Sequence, residues 1–298
     1  MPNEKIGTLA AIICGISYGA GPIFAKIAYQ SGVNTVTVLA YRFLITVLLL
    51  SFFLLKKGQH KPAGAVIIRL MLLGGVVYAG NSGCYMLSYT SIPASLASML
   101  LYLFPTIVTI STVLLKQEVY TWEKGVALAV TTVGLFLLLN ASFASVKLLG
   151  ILFGIASAVL YSTYVILGTA LMKSVEPFTA TLYINSGAAI SYSIIGLSSG
   201  QLMFSIPSIA WVMIVCMAFF ATILAVLAFW VGVKFIGPAK TSIFCTIEPL
   251  FTAFLSFLFF QDILTMSQLT GGFLIIAAVF FLHYTTLLQQ KRSDSGFV

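Results

Sequence analysis

The sequence predicts an all-α, polytopic membrane protein whose ten transmembrane helices form two inverted five-helix repeats. Three observations carry that prediction. First, 60% of the 298 residues are hydrophobic and only 7% are charged, whereas soluble domains carry roughly 25% charged residues. Second, the apolar residues collect in ten stretches of about 20 residues, the helix length that crosses a bilayer core of about 30 Å. Third, the chain repeats itself after five such stretches.

The stretches run near 6–28, 35–55, 67–89, 94–115, 124–140, 148–171, 178–199, 209–233, 239–260 and 267–287. Their connections are short and leave no room for a soluble domain. The first repeat is expected over 1–143, the second over 144–288 and a tail over 289–298. No cleavable signal peptide is expected, because the first apolar stretch is long and no small-residue cleavage site follows it.

The net charge of +8 is a topology signal and does not call for a nucleic-acid partner. At the span ends and in the connections, Lys5, Lys56, Lys57, Lys61, Arg69, Lys116, Lys124, Lys173, Lys234, Lys240, Lys291 and Arg292 all fall on the side of the chain ends, and Lys147 alone falls opposite. That asymmetry predicts a multi-pass protein of the cell (inner) membrane with both termini in the cytoplasm. Cys14, Cys84, Cys216 and Cys245 lie within spans without paired spacing, which indicates neither a disulfide framework nor a metal site. No cofactor is implied.

The repeat is visible when "SIPASLASMLLYLFPTIVTISTVLLKQEVYTW" from Ser91 is set against "FIGPAKTSIFCTIEPLFTAFLSFLFFQDILTM" from Phe235. Pro93 matches Pro238, Pro105 matches Pro249 after one gap, and Gln117-Glu118 matches Gln261-Asp262. Because five is odd, the second copy enters the membrane upside down. Inverted repeats of this kind are typical of carriers that hold solute near the midplane.

Together, "SYGAGPIFAK", "YRFLITVLLL", "YTSIPASLASMLLYLFPTIVTISTVLLKQE" and "IEPLFTAFLSFLFFQD", in that order over nearly the whole chain, resemble the drug/metabolite transporter superfamily, and its EamA-type ten-helix members above all. Tyr18-Gly19 stands where that family often has Trp-Gly, Gln117 replaces a common Gly and Asp262 a common Glu. The resemblance implies secondary transport of small metabolites, often outward, with no energising domain. Consistent with this, the chain has no Gly-x-x-x-x-Gly-Lys phosphate loop.

Glu248 stands alone among the acidic residues in lying mid-span. An intramembrane carboxylate is costly and marks a functional site by default. Leaving water favours its neutral form, so it could take up and release a proton or hold an amine. Pro249 and Pro105, at matching places in the two repeats, cannot donate to the carbonyls of Cys245 and Leu101. They are expected to kink their helices and act as hinges, and Gly21-Pro22 to break or bend the first helix. Tyr78, Asn81, Ser82, Tyr85 and Tyr89 share one helical face. With Tyr102, Tyr161 and Trp230 they are candidates for the wall of a substrate cavity. Arg42, which aligns with Asn185, could clamp a substrate carboxylate or bond to another helix. If Arg42 and Glu248 both face the cavity, a zwitterion such as an amino acid fits; if Glu248 alone does, an amine fits better. Lys26 is expected to snorkel to its helix end. Gly15-x-x-x-Gly19 and Gly150-x-x-x-Gly154 allow close helix approach, and Thr265 with Gln268 fits a capping box.

The partners expected are a small-molecule substrate and membrane lipid, and a homodimer is compatible with the sequence. An importer or facilitator of a vitamin- or choline-like solute is the alternative function. An intramembrane serine protease is a remote one, suggested by "GNSG" at Gly80 to Gly83, and it would need His60 or His283 beside Ser82.

Overall fold

The structure is a computed structural model that describes residues 2–57, 62–89, 91–92, 94–139, 147–172, 174–261 and 265–294. His60, Lys61, Pro93, Lys173, Asp262 and the junction at 143/144 lie outside the described residues. Ten helical spans follow one another: α1 (Pro2–Gln30), α2 (Thr35–Lys57), α3 (64–89), α4 (94–114), α5 (Trp122–Leu139), α6 (Leu148–Leu171), α7 (Pro177–Ser198), α8 (Ser208–Ile236), α9 (Pro238–Phe260) and α10 (Met266–Asp294). Among the described residues there is no strand. Helix α10 continues into the predicted tail.

Nine of these spans are apolar enough on average to cross a membrane. The exception, α7, turns its polar residues toward protein and keeps Ile190, Ile194 and Leu197 exposed. Its Thr179, Thr181 and Asn185 are buried, and it packs against α2, α3 and α8. At 22 residues it is about 33 Å long, enough to cross. Ten crossings leave both chain ends on one side of the bundle, called here the terminal face. The turns at 31–34 and 199–207 lie on the opposite, distal face.

The helix contacts reproduce the repeat. Helix α1 packs on α8 and α9, as α6 packs on α3 and α4, while α2 pairs with α7 and α5 with α10. The small residues act where the spacing predicts. A Cβ on Gly15 or Gly19 would run into α9 at Ile247 or the Glu248 carbonyl, and one on Gly150 or Gly154 into α4 at Ile92 or Leu100. Both copies also depart from the α-helix at matching places. In α3 residues Leu73–Tyr78, and in α8 residues Phe219–Leu224, form π-helical turns. Helix α4 breaks at Tyr102–Leu103, and α9 tightens to a 3₁₀ turn at Cys245–Ile247.

Three local expectations change. Pro105 and Pro249 open new helical segments at their second residue, where proline's missing N–H is harmless. The Cys245 carbonyl is not left open, because the 3₁₀ turn brings the Glu248 amide onto it. Helix α1 runs unbroken through Pro22. Pro22 faces a water-accessible cavity, which can solvate the carbonyl the proline leaves unpaired. The capping box forms as expected, with the Thr265 amide donating to Gln268 Oε1 at 2.9 Å.

The α3–α7 crossing brings two backbones into direct contact. Gly187 lies against the Met71 carbonyl and Gly74 against that of Ile184, so neither has space for a Cβ. Gly187→Ala should therefore force the helices apart and destabilise the protein by about 1–3 kcal/mol. A lower temperature for the loss of monodisperse protein in detergent checks this, and an unchanged one would contradict it.

Candidate functional site

A cavity of about 900 Å³ lies among α1, α2, α3, α8 and α9. Its lining includes Tyr18, Pro22, Lys26, Tyr29, Arg42, Asn81, Ser82, Tyr85, Met86 and Glu248. Tyr29, Gln30 and Thr35, at the α1–α2 turn, also line it, so its mouth is on the distal face.

Glu248 begins the helical segment after the 3₁₀ turn, half-buried and midway along α9. Helix α1 is fixed to it: a Cβ on Gly19 would sit 2.7 Å from the Glu248 carbonyl, and Thr252 Oγ1 lies 2.9 Å from the Gly19 carbonyl. The Tyr102 hydroxyl hydrogen-bonds the Glu248 carboxyl. Among the described residues the ion pairs are Lys124–Glu118, Lys234–Glu176 and Lys240–Glu4, so Glu248 and Arg42 are in no salt bridge.

Arg42 links the two π-turns. Its Nε donates to Thr222 Oγ1 at 2.8 Å, inside the π-turn of α8, and its Nη2 to the Tyr78 hydroxyl at 3.3 Å, at the end of the π-turn of α3. The plane is thereby held while the remaining N–H groups stay available. Lys26 reaches toward its helix end, where its Nζ sits 3.6 Å from the centre of the Phe260 ring and lines the cavity, a cation–π arrangement.

Of the residues singled out by sequence, Glu248, Arg42, Asn81, Tyr85 and Pro22 line this cavity. Asn81 donates to the Ser157 carbonyl at 2.8 Å, and the Tyr85 hydroxyl pairs with Ser98 Oγ at 2.7 Å. Tyr78 and Tyr102 stand behind the wall, bonded to Arg42 and Glu248. Tyr161 and Trp230 do not line it. They belong to an aromatic stack on its terminal side, in which Tyr164 lies 5.0 Å from Tyr78, 5.7 Å from Tyr161 and 5.3 Å from Trp230 between ring centres. The side chain of Tyr89 lies outside what the structure describes. Sequence reasoning missed Tyr18 and Tyr29 as lining residues. The signal was present, because Tyr18, Gly21, Pro22, Ala25 and Tyr29 follow the same i, i+3, i+4, i+7, i+11 spacing as the α3 stripe.

The terminal side is closed. Glu118, after α4, accepts from Lys124 Nζ at 2.7 Å and from the Ala239 amide at 3.1 Å, in the first turn of α9. The preceding Gly237 has φ +80°, which favours glycine, and a Cβ there would meet Glu118 Oε1 at 2.5 Å. Lys240 pairs with Glu4 at 3.5 Å, and Met172 and Val175 are buried over the aromatic stack.

Ser82 of the "GNSG" stretch donates to the Tyr78 carbonyl at 3.1 Å, and His283 is not among the residues lining its cavity. Cys14 and Cys245 are free thiols in contact, Sγ to Sγ 3.3 Å.

A ten-span bundle of two inverted copies around a mid-depth cavity that holds a few charged and polar groups among apolar ones, open on one side, is the architecture of a membrane transporter of small molecules. The chain belongs to the EamA-like transporter family, whose model matches it twice, over residues 5–140 and 148–284. It is 28% identical to an uncharacterized transporter of Archaeoglobus fulgidus, over 65% of this chain and 69% of that protein. It is 26% identical to the uncharacterized transporter YyaM of Bacillus subtilis, over 90% and 91% of the two chains. A solved crystal structure superposes with a TM-score of 0.78 over 96% of this chain and 98% of its own. At 15% identity, that likeness speaks for the fold.

Proposed function

We propose that the protein is a secondary active carrier that alternates access to the cavity between the two membrane faces and moves a small zwitterionic or amine solute, an amino acid or related compound, coupled to protons. Its termini lie in the cytoplasm and its direction is outward, as positive-inside charge and family resemblance suggest. The observation that carries the reading is the placing of Arg42 and Glu248 on one cavity open to one face. Guanidinium N–H groups suit a solute carboxylate. Glu248 suits the ammonium when ionised and carries the coupled proton when neutral, with Tyr102 holding its carboxyl in either form. Tyr18, Tyr29 and Tyr85 offer ring faces to a cation, which favours a facilitator of choline-like solutes as the second reading.

The test is proton movement in proteoliposomes driven by a panel of amino acids, polyamines, quaternary amines and aromatic amines. A response confined to zwitterions or amines supports the carrier, and no response to any class counts against it. Arg42→Gln should weaken transport of carboxylate-bearing solutes by about 10- to 100-fold, the worth of a charge-assisted pair of about 1.5–3 kcal/mol, and should spare amines without a carboxylate. Equal loss for both would make Arg42 a strut between the π-turns.

A further inference from the structure

The two-fold relation between the repeats can be read residue by residue from contacts. Gly19 of α1 abuts the Glu248 carbonyl of α9, and Ser162 of α6 hydrogen-bonds the Phe104 carbonyl of α4. Gly7 meets Phe235 and Ile236, and Gly150 meets Ser91 and Ile92. The same operation carries Tyr18 onto Tyr161, Gly21 onto Tyr164 and Arg42 onto Asn185. The matched sequences bring Trp230 within a residue of Tyr85. Gly21, Arg42 and Tyr85 all line the distal cavity.

Their counterparts share an anomaly. Tyr164 is 1% exposed, and Asn185 and Trp230 are fully buried. Yet Asn185 Oδ1 makes no hydrogen bond, and the Tyr164 hydroxyl and Trp230 Nε1 find no partner in good geometry, only each other's approach across the packed rings. Buried polar groups in proteins are almost always partnered, and leaving three unpaired or poorly satisfied on one side of one bundle is costly. The cost is explained if a second conformation partners them.

We propose that Tyr164, Trp230 and Asn185 form a second polar half-site, hidden in this state, that opens to the terminal face and receives the same solute there. This rests on the carrier reading above. Two donors, the phenol and the indole N–H, suit the solute carboxylate, and Asn185 Oδ1 suits its ammonium; the Asn185 amide nitrogen is already committed to the Thr181 carbonyl at 2.7 Å. The formal charges thus stay on the distal half: Arg42 corresponds to Asn185 and Glu248 to Phe104. Closure follows from the same residues. The Trp230 ring lies directly on Gly168, where a Cβ would meet Cζ2 at 2.7 Å, and Met172 and Val175 cover it.

The test reads access from each face and needs no solute. In a background with the four native cysteines replaced, Tyr164→Cys and Asn185→Cys are exposed to a membrane-impermeant cationic methanethiosulfonate in right-side-out and everted vesicles. Met86→Cys, in the distal cavity, serves as the reference, and Asn185→Cys keeps the test open should Tyr164→Cys fold poorly. The expected result is labelling of both positions at least about tenfold faster from the terminal face, with Met86→Cys showing the reverse, as a two-state equilibrium requires. Reaction of either position as fast from the distal face as from the terminal one overturns the proposal, as does silence from both faces while Met86→Cys reacts. If the positions label as expected but no solute in the panel moves protons, proton coupling fails and the half-site stands.

Discussion

Glu248→Gln is expected to abolish uphill, proton-coupled transport, with a loss of about 100-fold or more in coupled flux, some 2.7 kcal/mol. Glutamine keeps the size of the side chain and can still meet the Tyr102 hydroxyl, so the cavity should keep its shape. What it cannot do is exchange a proton or present a negative charge to an ammonium group. Fixed in the neutral form, the carrier should still swap labelled for unlabelled solute across the membrane while failing to accumulate it against a gradient. The measurement is paired exchange and net flux in proteoliposomes, with a pH-sensitive dye inside. Net flux equal to wild type would make Glu248 a structural group bonded to Tyr102, and attention would pass to Arg42 and the α3 stripe.

The second large effect is expected at the terminal face. Glu118 holds Lys124 and the amide of Ala239 together, with side-chain exposures of only 14% for Glu118 and 7% for Lys124. Glu118→Ala leaves a buried ammonium without its counter-charge and the first turn of α9 without its acceptor. Breaking a fully buried pair costs about 3–5 kcal/mol. A pocket of about 300 Å³ beside Glu118 and Lys124 admits water and should reduce that to about 2–3 kcal/mol. Because the contact ties α9 to the α4–α5 connection only while the terminal side is shut, the loss should fall on the distal-open state. Two readouts follow: a lower melting temperature, and faster labelling of Tyr164→Cys from the terminal face. A melting temperature that falls with no change in labelling would make Glu118 a fold residue with no part in gating.

The legible part of the site was whatever lipid makes conspicuous. A carboxylate, a guanidinium and an amide cannot sit at mid-depth without a reason, so Glu248, Arg42 and Asn81 could be named from sequence alone. Trp230 was equally conspicuous, but a fully buried indole and a cavity wall look the same in a sequence, because both need a ring at mid-span. The ring partner of Lys26, Phe260, could not be named from sequence, because it lies more than two hundred residues away. Glu118 looked like an ordinary span-end charge for the same reason, since its acceptor role depends on the backbone of Ala239. Among the spans, α7 fell short on average hydropathy because its Thr179, Thr181 and Asn185 are buried against neighbouring helices, while Ile190, Ile194 and Leu197 stay exposed.

The paired π-turns bear on how the two repeats are joined. A π-turn holds one residue more than the α-turn it replaces, and one extra residue rotates everything beyond it by about 100°. In Leu73–Tyr78 and Phe219–Leu224 that rotation sets which way the Tyr78 and Thr222 hydroxyls face, and both face Arg42. Deleting one residue from either turn should swing its hydroxyl away from the guanidinium and uncouple the two repeats at that point.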